Sequence, residues 1–74
     1  MAKHPIAKIF AKNLRALRLS QGFTQTRLAQ LAGLGLRYIQ DIEAGERNPT
    51  VGVTQQLKRA LGCEWSDLLD KQAR

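Results

Sequence analysis

The chain has 74 residues, twelve basic against six acidic, and a formal charge of +6. That length fits one small domain spanning 1–74, whose core alone yields only about 3–5 kcal/mol. A single cysteine, Cys63, excludes an intrachain disulfide or a Cys-rich zinc site, a single histidine excludes a His-based metal site, and no apolar run approaches the ~18 residues of a transmembrane span.

The positive charge is concentrated. Residues 1–40 hold Lys3, Lys8, Lys12, Arg15, Arg18, Arg27 and Arg37 and no acid, a sum of +7, whereas residues 41–74 hold six acids and five bases, a sum of −1. Such a half suits a polyanionic partner, nucleic acid above all; a solvated basic surface is the plainer alternative. No signal-peptide apolar region opens the chain, so a soluble protein of a reducing, cytoplasmic compartment is expected.

Apolar residues recur at helical spacing throughout, and strand-type alternation is missing, so the class is all-α. Helix 1 is predicted over Pro5–Ser20, with Ile6, Phe10, Leu14 and Leu17 as its buried stripe and Lys8, Lys12 and Arg15 off it. Pro5 suits a first turn and Gly22 a helix end. Residues 1–5 are expected to form a flexible arm. Helix 2 is predicted over Gln25–Ala32 behind the N-cap Thr24, with Leu28, Ala29, Leu31 and Ala32 inward. Arg27 occupies the position where a capping box would place Glu or Gln, and it opposes the helix dipole.

Gly33 is the next turn. Helix 3 is predicted over Leu36–Ala44, with Gly35 as a weak N-cap, Ile39 and Ile42 inward, and Leu34 stapled to Ile39. Helix 4 covers Thr50–Leu61, with Val51, Leu57 and Leu61 as its apolar set. A short helix 5 covers Trp65–Lys71 and presents Trp65, Leu68 and Leu69.

One spacing is informative. Ala29, Gly33, Ile39 and Ile42 fall at positions 5, 9, 15 and 18 of a window, 25–44, that begins at Gln25. Two helices crossing at ~90–120° need a small residue at the crossing and a turn tolerant of positive φ. Ala29 and Gly33 supply these, while Ile39 and Ile42 bury the inner face of the second helix. Its outer face is then Leu36, Arg37, Gln40 and Asp41, with Tyr38 at the N-terminal edge.

Thr24-Gln25-x-x-Leu28-Ala29, Ala32-Gly33, Tyr38 to Gly45, Arg47-Asn48-Pro49-Thr50 and Ala60-Leu61-Gly62, in that order, resemble the Cro/C1-type helix-turn-helix family. The resemblance runs from about Phe10 to Leu69. It implies a five-helix, lambda-repressor-like fold with helices 2 and 3 as the helix-turn-helix, and helix 3 in the major groove of double-stranded DNA. Leu36, Arg37, Tyr38 and Asp41 match positions facing bases or the adjacent backbone, and Gln40 shares their face. Gln25 matches a phosphate clamp at a helix N-terminus, and Arg47 and Asn48 match the loop that follows the backbone. Arg18 and Glu43 match a buried ion pair tying helix 1 to helix 3.

Within this pattern Arg37 is a candidate guanine reader or a phosphate contact. Leu36 meets a thymine methyl or belongs to core or dimer. Asp41 accepts from cytosine or orients Arg37. Arg27, where the family commonly has an acid, adds a phosphate contact or is a free surface side chain. Gly35 replaces the usual Ser or Thr. Thr54 and Lys58 stand where the family has Leu and Ala, so helix 4 is expected to pack loosely. The C-terminal segment 64–71 is expected to supply a two-fold dimer contact through Trp65, Leu68 and Leu69. Cys63 is expected to be a small buried apolar residue.

The resulting expectation is a homodimeric, sequence-specific transcription regulator of bacterial or phage origin, working at the nucleoid. No cofactor, metal or small-molecule ligand is expected. The alternative is an antitoxin-like protein-binding module with autoregulatory DNA binding. No paired carboxylates, nucleophile–base set or phosphate-cradling glycine loop points to an enzyme.

Overall fold

Side-chain caps and glycines set the helix boundaries in the computed structural model, which describes residues 5–70. The helices are α1 Pro5–Ser20, α2 Gln25–Ala32, α3 Leu36–Glu43, α4 Val51–Leu61 and α5 Trp65–Leu69, with no strand among the described residues. Residues 1–4 of the expected arm and residue 71 of the expected last helix lie outside them. Helix 5 is shorter than expected, because Asp70 leaves the helix in an extended conformation.

Thr24 and Thr50 are extended, and their hydroxyls accept from the backbone N–H of Arg27 at 3.0 Å and of Val53 at 3.1 Å. Each such cap stabilises its helix by about 1 kcal/mol. Gly33, at φ 71°, turns the chain out of α2, and the Leu34 N–H then reaches the Ala29 carbonyl at 2.9 Å. A side chain at that φ would be strained, so glycine sets this turn. Gly35 starts α3 without a side-chain cap, and half-buried Leu34 packs with the core that holds Ile39.

α1 packs on α3 and α5, and α2 on α3 and α4. Phe10, Leu14, Leu28, Ile39, Ile42, Leu57 and Leu68 are fully enclosed between them. With α3 held between α1 and α2, one of its faces is fixed inward and the other is left to solvent.

Three inward assignments fail. Ile6 is 64% exposed, Val51 78% and Leu31 42%. Ile6 borders an open groove with Trp65 and Leu69, although Ala7 beside it on α1 is buried. Val51 opens α4, where the core has already ended. Leu31 lies to one side of the stripe formed by Leu28, Ala29 and Ala32. Cys63 is half-buried rather than fully enclosed. Burial, then the Asp67 charge, push its thiol pKa up, which keeps it a protonated, poor nucleophile.

Polar side chains fill places that periodicity cannot assign. Asn13, 1% exposed, donates to the Leu68 and Asp70 carbonyls, both at 2.9 Å. Gln21 donates to the Leu61 carbonyl at 2.6 Å and Gln56 to that of Ala32 at 3.1 Å. Each amide satisfies carbonyls at the end of another helix, groups with no partner inside their own helix. Thr54 is buried and donates to the Thr50 carbonyl at 2.9 Å, so the polar residue at this core position is satisfied within α4.

Candidate nucleic-acid interface

Burial of Ile39 and Ile42 turns the opposite side of α3 outward. Leu36, Arg37 and Gln40 are exposed there, and Tyr38 and Asp41 are half-buried at its flanks. The Arg37 Nε donates to the Asp41 Oδ1 at 3.1 Å, one turn apart on the same helix. The other Asp41 oxygen lies 3.8 Å from the Arg47 Nη2. Arg47 in turn stacks on Tyr38, its Cζ 4.7 Å from the ring centroid. Asp41 therefore sits between two guanidiniums, one from α3 and one from the loop that follows. Exposed pairs of this kind contribute only a few tenths of a kcal/mol to stability; their consequence is orientation.

A second cluster fixes α3 against the rest. The Arg18 Nε meets the Glu43 Oε2 at 2.7 Å and its Nη2 meets Oε1 at 3.0 Å, while Nη1 donates to the Phe23 carbonyl at 2.8 Å. The two side chains are 10% and 4% exposed, so the expected buried pair is present. Gln25 also donates to the Glu43 Oε1, at 3.1 Å. One carboxylate thus ties α1, the start of α2 and α3 together.

Arg27 is exposed on the first turn of α2. Asn48 is exposed and borders a largely apolar groove of about 640 Å³ lined also by Ile6, Phe10, Pro49, Val51, Thr54, Trp65 and Leu69. Of the expected dimer set, Trp65 and Leu69 are 41% and 47% exposed, but Leu68 is fully buried. Leu68 belongs to the core, because the inward face of this short helix is the one closed by α1. Among the described residues, no three His, Cys, Asp or Glu side chains gather as a metal site.

Sequence reasoning missed three features. The stacking of Arg47 on Tyr38 needs the loop path, which spacing does not give. The role of Asn13 carries no periodic signal. Arg15 lines a concavity of about 410 Å³ with Gln25, Gln40 and Ala44; its spacing from Lys8 and Lys12 was visible, but not what lay beside it.

Residues 14–68 match the helix-turn-helix family. The chain belongs to this family, as the order of its motifs implied. It is 38% identical over 66 residues to the control protein C.BamHI of Bacillus amyloliquefaciens, covering 88% of this chain and 82% of that one. Among solved structures it is similar to the restriction-modification controller C.AhdI from Aeromonas hydrophila, with a TM-score of 0.83 and 34% identity over 88% of this chain and 98% of that one. It is also similar to the controller C.Esp1396I, solved as a tetramer in complex with its natural 35 base-pair operator. There the TM-score is 0.81 and the identity 25%, over 85% of this chain and 83% of that one. The chain spans from 66% to 90% of the length of the curated relatives it matches.

Proposed function

We infer that this protein is a sequence-specific, double-stranded DNA-binding transcription regulator that acts in the cytoplasm as a homodimer. The observation that carries this is the posture of Arg37. Its Nε is committed to Asp41, while its side chain is 85% exposed. Both terminal nitrogens are left to form the two-pronged contact that guanine O6 and N7 accept in the major groove. Arg27 and the N-terminus of α2 on one side, and Arg47 on the other, supply positive charge for the flanking phosphates. Gln25 spends one amide hydrogen on Glu43 and keeps the other for a phosphate. Leu36 stands beside Arg37 as an apolar contact for a thymine methyl, with Tyr38 and Gln40 completing the face.

The dimer uses the groove bordered by Ile6, Val51, Trp65 and Leu69, where four of the exposed large apolar side chains gather. Two-fold pairing there presents two copies of α3 to a palindromic site. The resemblance to controllers, one of them solved on its operator, supports this reading. The protein's chemistry is recognition, not catalysis.

Selection of binding sites from random duplex DNA by the purified protein tests the proposal. Enrichment of a palindromic site, bound with a log–log salt slope of roughly −5 or steeper, is expected. Equal affinity for all sequences removes the specific-regulator reading.

A further inference from the structure

We propose that α1 carries a second contact to duplex DNA, in which Lys8, Lys12 and Arg15 form a rail for the phosphate backbone beside the C-terminal end of α3. The proposal presupposes the DNA-binding role of α3 and extends its surface.

The three side chains are exposed. Spacings of four and three residues stack them on one face of α1 over about 10 Å. A DNA strand presents one phosphate per ~3.4 Å of duplex axis, so each cation can meet a different phosphate. Together they line a groove of about 530 Å³ between α1 and the end of α3. Ala11, Ala16, Ala44 and Gly45 contribute small surfaces to its lining, which lets a bulky sugar-phosphate chain approach the cations closely; exposed Leu19, one turn beyond Arg15, is its one large apolar side chain.

The groove has one carboxylate in its lining, Glu43, and that group is already bound by Arg18 and Gln25. A charged helix face often does no more than meet water. Here Arg15 also borders the concavity that holds Gln25 and Gln40, so the rail is continuous with the α2–α3 surface and does not face away from it. A phosphate contact carries no sequence information. The rail therefore raises affinity for every duplex and widens the footprint at the edge of each half-site.

The test is the full-length triple variant Lys8→Gln, Lys12→Gln, Arg15→Gln, titrated against the selected site and an unrelated duplex of equal length. Affinity should fall by the same factor on both, and the log–log salt slope should become shallower by about two to three units per protomer. Phosphate ethylation flanking each half-site should block the wild type and leave the variant unaffected. Helix content and Tm should not change, because none of the three side chains is buried. A variant with the wild-type slope and the wild-type interference pattern overturns the rail and leaves the role of α3 standing. A wild type that binds neither duplex instead overturns the DNA-binding reading, and the rail with it.

Discussion

Arg18 and Glu43 meet through two hydrogen bonds of 2.7 and 3.0 Å, nearly sealed from water, across the junction of α1 and α3. The pair does not simply add stability, because desolvating two charges offsets most of their attraction. Its effect is to make α3 adopt one position. Arg18→Ala and Glu43→Ala should each cost about 3–5 kcal/mol, since each strands the other charge in the interior. The double variant should lose less than the sum. That loss rivals the whole stability of so small a fold, so the denaturation cycle needs a stabilising osmolyte. Strict additivity would show that the two residues act independently.

Asn13 joins α1 to the last helix by donating to two carbonyls at its C-terminal end. Asn13→Ala should destabilise by about 1–3 kcal/mol, since the Leu68 carbonyl is left buried without a partner. Amide exchange in α5 should accelerate more than in α2. Unchanged exchange in α5 would mean that the tether holds nothing.

Neighbouring leucines in α5 should respond in opposite ways. Leu68→Ala empties part of the core and should cost about 2–5 kcal/mol of folding stability. Leu69→Ala or Trp65→Ala removes exposed apolar surface, and should weaken dimerisation at least about tenfold, or 1.4 kcal/mol, with helix content largely intact. Sedimentation across a concentration series separates the two effects. A wild type that stays monomeric at high concentration, and on a duplex with two half-sites, ends the dimer proposal.

The pattern of errors follows from what periodicity measures. Spacing records the angle of a side chain about its helix, and it located Phe10, Leu14, Ile39 and Ile42 correctly. It does not record which part of a stripe another element covers, so Ile6 and Val51, which border an open groove, were assigned to the core. The buried set also includes Asn13, whose enclosure depends on carbonyls that only the folded chain brings near, and Thr54, whose hydroxyl is satisfied by a carbonyl one turn back in its own helix. In the interface, the Arg18–Glu43 pair was legible through family resemblance. The partners of Asp41 were legible only in part, because Arg37 lies one helical turn away while Arg47 arrives by a loop.

That position of Asp41 decides how reading and holding divide along α3. If Asp41 acts by fixing the Arg37 Nε, its effect on sequence preference passes through Arg37. Arg37→Ala should cost about 1–3 kcal/mol on the selected site and relax preference at one base pair per half-site. Asp41→Ala should relax the same base pair, by less, and the double variant should match Arg37→Ala alone. Gln25→Ala should weaken selected and unrelated DNA by similar factors and leave the salt slope unchanged, because Gln is neutral. Asp41→Ala relaxing a different base pair would make Asp41 a reader in its own right, accepting from a cytosine amino group. Arg37→Ala lowering affinity uniformly, with the slope shallower by about one unit per protomer, would make Arg37 a phosphate clamp. Sequence preference would then rest on Leu36, Tyr38, Gln40 and Asp41.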